Sequence, residues 1–204
     1  MKNDLTELVL IIDASGSMEH LQHETISSVN GVVRDQLEDS GEKLDLTVAV
    51  FNTSVEVLLD GVRATSPHIL SKKNYRPSDC TAMHDAVVGV ITRVGDRLAS
   101  RTEEERPSAV IVVIVTDGHE NASARYKLSD VARIIDHQRK VYNWQFLFLG
   151  ANQDSWATGQ AMSIDATDAK DWTSSKEGMV NLEVQMSSEI SLRKQRAKDR
   201  SRHP

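Results

Sequence analysis

Leu8-Val9-Leu10-Ile11-Ile12-Asp13-Ala14-Ser15-Gly16-Ser17 is the stretch that decides the fold. Its first half is an unbroken apolar run, the pattern of a parallel strand covered on both faces. A carboxylate ends it, and the run is far too short for a membrane span or a signal-peptide core. In the second half Asp13, Ser15 and Ser17 occupy every second position. Alternate residues of an extended or gently turning chain point the same way, so three oxygen groups converge on one point. Gly16 lets the chain turn tightly around that point. Carboxylate and hydroxyl oxygens suit a hard ion such as Mg²⁺, with Mn²⁺ as a substitute; zinc and copper favour His and Cys.

Outward from this stretch, strands alternate with helices. Ile26, Val29, Val33 and Leu37 mark a helix that Ser40-Gly41 should stop. Leu44–Phe51 alternates apolar with Asp45, Thr47 and Ala49. The turn Asn52-Thr53-Ser54 leads into Val55–Leu59, and the pair reads as a hairpin at a sheet edge. Ser66 to Asp79 is loop-like. A helix from about Ala82 carries Val87, Ile91, Val94 and Leu98 on one face. Ala109–Val115 is the most apolar strand and should be central. Leu128–Lys140 is a helix with Leu128, Val131 and Ile135 inward, Trp144–Leu149 a buried strand and Ser155–Met162 a short helix. A short edge strand is possible within Asp165–Trp172. Ser174 and Glu177 suggest a capping box for a final helix with Met179, Leu182, Met186 and Ile190 inward. The pattern predicts a three-layer, doubly wound α/β fold with a mostly parallel sheet and one antiparallel edge strand.

In such sheets ligands bind beyond the carboxyl ends of the strands, where strand order reverses. Thr116-Asp117-Gly118 ends the central strand, and Thr81 starts the helix after the long loop. Asp13-x-Ser15-x-Ser17, then this Thr, then this Asp, resembles the metal-ion-dependent adhesion site of von Willebrand factor A domains. The resemblance covers roughly Leu5 to Leu192. It extends to small intracellular bacterial and bacteriophage members, through Thr81-Ala82-Met83-His84-Asp85-Ala86 and Thr116-Asp117-Gly118-His119-Glu120-Asn121. It implies hydroxyl ligands from Ser15, Ser17 and Thr81, with Asp13 and Asp117 acting directly or through water. One coordination position would be left for an Asp or Glu of a protein partner. Many relatives have Gly-Gly before the Thr; here Asp79-Cys80 stands there, which would add negative charge near the metal.

The 204 residues carry 24 basic and 30 acidic side chains, a net charge of −6. Six of the basic residues fall between Arg193 and the end, which reads as a solvated tail (193–204) after one domain (1–192). The remaining chain has a net charge of −11, which argues against a nucleic-acid-binding surface. One cysteine, Cys80, gives no disulfide framework and favours a reducing compartment. With no export signal in the sequence, a cytoplasmic protein is the expectation.

Competing readings are weaker. His84, His119 and Glu120 could serve a metal-assisted hydrolase, but they read as rim residues, as do Asn152, Gln153 and Asp154. A phosphatase that starts from an Asp after the first strand needs a second Asp two residues on, and Ser15 stands there. No phosphate-binding Gly-rich loop occurs. Thr81 alone could be a helix N-cap and Asp85 a partner for the positive helix end. A subunit of a cytoplasmic or phage-encoded assembly with a structural metal is the alternative. The sequence therefore predicts a metal-dependent protein-binding module without catalytic activity.

Overall fold

A computed structural model describes residues 2–38 and 43–202. Ser40-Gly41, expected to stop the first helix, lie outside the described residues. The strands are β1 (Lys2–Asp13), β2 (Lys43–Phe51), β3 (Val55–Arg63), β4 (Pro107–Thr116), β5 (Gln145–Gly150) and β6 (Ala169–Asp171). The helices are α1 (Gln22–Glu38), α2 (Met83–Ala99), α3 (Leu128–Tyr142), α4 (Ser155–Ala161) and α5 (Lys176–Arg202). The sheet order is β3-β2-β1-β4-β5-β6. Only β3 runs antiparallel, against β2. The expected α/β class is what the chain adopts, and the short edge strand exists as β6.

The apolar runs sit where both faces are covered. In β1, Ile12 pairs with Val50 of β2 and Val115 of β4. Leu8, Leu10 and Ile12 face α1 and α5, while Val9 and Ile11 face α2 and α3. Met179, Leu182, Met186 and Ile190 of α5 are all buried, as their spacing predicted. Each such side chain contributes about 1.5–3 kcal/mol by leaving water.

The polar face of β2 is also covered. Glu7 and Thr47 are fully buried, and Arg97 of α2 reaches both: its guanidinium donates to Glu7 Oε1 at 2.8 Å and to Thr47 Oγ1 at 3.0 Å. It also donates to Asp60 of β3 at 2.9 Å. A bulge in β3 makes room, with Gly61 at φ +62°, a left-handed backbone that glycine adopts without strain.

Three expectations change, the first being that Leu128 of α3, expected inward, is exposed. Helix α5 runs on through the expected tail to Arg202. Arg193 and Lys194, expected in a solvated tail, are buried. The Arg193 guanidinium meets Asp168 at 2.5 Å and also bonds Glu189, because buried charge needs a partner of opposite sign. Ser174 is not the capping residue of α5. The Ser175 hydroxyl accepts the Gly178 N–H at 3.0 Å instead, and no bond ties Glu177 back to the helix start among the described residues.

Candidate metal centre

The strand order reverses between β1 and β4, and the loops that leave their carboxyl ends open there. The long segment after β3 returns to the same place. It is tied down by Asn30, whose side-chain oxygen accepts the Ile69 and Leu70 N–H groups at 2.9 Å. Tyr75, fully buried, donates its hydroxyl to the Asp13 carbonyl at 2.7 Å. Burial pushes its phenol pKa well up, so it is a fixed donor.

All five residues singled out from sequence come together. Asp13 is fully buried: Oδ2 accepts from the Thr116 hydroxyl at 2.6 Å and Oδ1 from the Ser15 N–H at 2.7 Å. The Ser15 and Ser17 hydroxyls lie 3.1 Å apart. Ser17 donates to Asp117 Oδ1 at 2.5 Å. A Cβ built on Gly118 would stand 3.7 Å from Ser17 Oγ and 3.8 Å from Thr81 Oγ1. Two hydroxyls from separate loops thus line one spot beside Asp117.

Thr81 is not a helix cap. The residue preceding α2 is Ala82, and no side-chain cap bond is made there. Its hydroxyl is therefore left to the site. Asp85 lies in the first turn of α2, as its charge suits, and its carboxylate also accepts the Ala124, Arg125 and Tyr126 N–H groups. Asp79 adopts a left-handed backbone (φ +63°), and its carbonyl accepts the Gly16 N–H at 3.0 Å. This contact locks the Asp79-Cys80 turn against the first loop. The Asp79 carboxylate, exposed, accepts the Ser78 hydroxyl, and Cys80 is an exposed free thiol.

Asp13 and Asp117 are both buried, and no lysine or arginine among the described residues makes an ion pair with either. Burial raises the Asp13 pKa above its ordinary value against the pull of the Thr116 and Ser15 hydrogen bonds, and the neighbouring Asp117 charge adds to the rise. Two carboxylates and three hydroxyls make an all-oxygen donor set that fits a hard divalent cation. No group of three or more His, Cys, Asp or Glu side chains able to hold a metal occurs among the described residues, so a thiolate- or imidazole-rich centre is not present there.

The rim is partly as read. Asn152 Nδ2 donates to the Asp117 carbonyl and Gln153 Nε2 to that of Gly118, both at 3.1 Å. Asp154 instead caps α4, accepting the Ala157 N–H. Glu120 accepts the His84, Ala122 and Ser123 N–H groups and the Ser123 hydroxyl. Partial burial raises its pKa, but these donors outweigh it and hold the carboxyl below its ordinary value. Ser174 was missed: its hydroxyl donates to Asp117 Oδ2 at 3.2 Å, and Trp172 Nε1 donates to the Thr116 carbonyl at 3.1 Å. A serine that reads as a capping residue gives no signal of such a long-range bond. Tyr75 likewise carries no periodicity or spacing that marks it; Asn121 closes the Thr116–Asn121 motif, but the motif alone does not say that its side chain holds Thr81.

Residues 7–179 match the family model for the von Willebrand factor type A domain, so the chain belongs to that family. No curated protein sequence matches it. Among solved structures it is similar to proximal thread matrix protein 1 of the mussel byssus with a zinc-occupied MIDAS motif (TM-score 0.65, 14% identity, 89% of this chain and 47% of that one). It is similar to manganese-loaded TRAP protein of Plasmodium vivax (0.59, 18%, 92% and 75%). It is also similar to the PilB minor pilin of Streptococcus sanguinis (0.60, 11%, 95% and 61%). The chain spans about half the length of the mussel protein and 61% of the pilin.

These relatives correct two expectations. Kinship with small intracellular bacterial and phage proteins is not what the comparisons find; they find pilus, byssus and TRAP proteins. The cytoplasmic location, argued from one cysteine and no recognised export signal, falls with it. Neither feature reports a compartment: a domain that builds its core from a covered parallel sheet needs no disulfides wherever it works. No helix among the described residues is long and apolar enough to cross a membrane.

Proposed function

We propose that this domain binds a divalent cation, Mg²⁺ with Mn²⁺ as a substitute, through Asp13, Ser15, Ser17, Thr81 and Asp117, and uses that site to hold a protein partner that presents an Asp or Glu. The observation that carries this reading is that Asp13 and Asp117 are buried side by side with no Lys or Arg paired to either among the described residues. Buried carboxylates are otherwise paired. A divalent ion bound there would supply the missing positive charge and a coordination position for an incoming carboxylate. The hydroxyls of Ser15, Ser17 and Thr81 contribute oxygen without charge, which leaves the site electrophilic toward an anionic group. The mussel and Plasmodium proteins are named as zinc-occupied and manganese-loaded, which supports divalent binding on this fold.

We read the site as non-catalytic. A general base needs a carboxylate or imidazole free to take a proton. Glu120 is saturated with four donors, and its lowered pKa makes it a weak base. Calorimetric titration with Mg²⁺ and Mn²⁺ tests the metal: binding is expected in the native chain and its loss in Asp13→Ala. Unchanged heats in that variant would sink the assignment. Hydrolysis of phosphomonoesters that depends on Mg²⁺ and on Asp13 would overturn the non-catalytic reading.

A further inference from the structure

We infer that Asn121 is a positioning residue for the metal site: it decides whether the Thr81 hydroxyl faces the ion or caps helix α2. This rests on the metal reading above. Threonine before a helix has a strong alternative, because its hydroxyl can accept the free N–H groups of the first turn. The loop after Asp117 removes that alternative. The Thr81 N–H donates to Asn121 Oδ1 at 2.9 Å, and the Thr81 carbonyl accepts the Asn121 N–H at 3.0 Å and the Ala122 N–H at 3.2 Å. Both polar backbone groups of Thr81 are thereby held by one two-residue segment.

The same loop occupies the helix start. The His84 N–H goes to Glu120 Oε2 at 2.9 Å and the Asp85 N–H to the Ser123 hydroxyl at 3.1 Å. The Ala82 N–H goes to the Asn52 carbonyl at 2.7 Å. With the His84 and Asp85 donors taken by that loop, the Thr81 hydroxyl lies beside Gly118, where the Ser17 hydroxyl also lies. Asn121 lies four residues beyond Asp117, so it fixes the loop that carries one ligand to the backbone of another. The site is set by a bond between loops rather than by either loop alone.

The test is Mn²⁺ titration of the full chain in four variants, with amide hydrogen exchange at Thr81 as a readout that needs no metal. Asn121→Ala is expected to weaken Mn²⁺ binding about tenfold or more, as loss of a group that orients a metal ligand does, and to remove the protection of the Thr81 amide. Asn121→Asp keeps an acceptor oxygen in place and should retain both. Gln36→Ala breaks the 3.2 Å bond from Gln36 to the Ser187 carbonyl between α1 and α5; it should lower the melting temperature and leave Mn²⁺ affinity alone. Ser15→Ala should lose Mn²⁺ binding while Thr81 stays protected. If Asn121→Ala does not fold, Asn121→Gln, which displaces the acceptor by one bond, takes its place with the same expected losses. Native affinity and a protected Thr81 amide in the Asn121 variant, alongside a weakened Ser15→Ala, overturn the positioning role and leave the metal reading standing. Native affinity in Ser15→Ala as well overturns both.

Discussion

Two places in this molecule bury carboxylates, and they solve the problem differently. Under β2, Glu7 is fully buried against Arg97, which also engages Asp60 and Thr47. Its charge is balanced by the protein itself. At the carboxyl end of the sheet, buried Asp13 and Asp117 accept from three hydroxyls and one N–H group, and no Lys or Arg among the described residues pairs with them. Each carboxylate oxygen accepts one hydrogen bond, which leaves acceptor capacity and leaves the charge unbalanced. Polar satisfaction and charge balance are therefore separate requirements, and a place that meets the first without the second is poised to take a cation.

The largest effect is expected at Arg97. Arg97→Ala leaves Glu7 buried without its cation, and removing one partner of such a pair costs about 3–5 kcal/mol. Chemical denaturation should show this loss equally with Mg²⁺ and with EDTA, since the network is remote from the site. A loss that Mg²⁺ reverses would mean that the two regions are one.

Metal itself should give the next effect. At a hundredfold excess over Kd, an ion that binds only the folded state stabilises it by about 2.7 kcal/mol. Melting curves should rise with Mg²⁺ or Mn²⁺ over EDTA, the gain vanishing in Asp13→Ala and shrinking in Thr81→Ala. Asp13→Asn sharpens the contrast. Because burial raises the Asp13 pKa, folding disfavours its charge, so in EDTA this variant should be no less stable than the native chain. The matching change at the balanced place, Glu7→Gln, should destabilise. If both changes act with the same sign in EDTA, the proposed difference in charge balance is wrong.

Glu120→Gln should cost about 2 kcal/mol, since bonds to a charged acceptor are stronger than neutral ones. The pH dependence follows from its lowered pKa. A carboxyl held below its ordinary value of 4.5 contributes stability that is present above pH 4.5 and lost as pH falls through the folded-state value. The variant should therefore show a shallower loss of stability in that acid window than the native chain. Ser174→Ala, the smallest change, should cost about 1 kcal/mol. Its effect should differ between Mg²⁺ and EDTA, because its partner is Asp117.

Much of this was legible residue by residue. Leu8–Ile12 and Ala109–Val115 announce central strands because a strand covered on both faces cannot afford a polar position. Asp13, Ser15 and Ser17 announce their convergence because their spacing is short and local. Ser174 was misread, because a local rule offered it a satisfactory role and its actual partner is 57 residues away. Arg193 was misread for a similar reason. A basic residue near a chain end looks solvated until Asp168 and Glu189 are seen beside it.

Sequence by itself determined the order of strands and helices and the α/β class, and it singled out five oxygen-bearing residues that the fold brings together. Those follow from periodicity and from short spacings, which act within one segment of chain. Only the tertiary structure decided that no Lys or Arg among the described residues pairs with Asp13 or Asp117, that Arg97 faces Glu7, and that the Thr81 backbone is held by Asn121. Each of these turns on which side chain from a distant segment fills a given space, and the free energy that settles it comes from packing and desolvation in the assembled core.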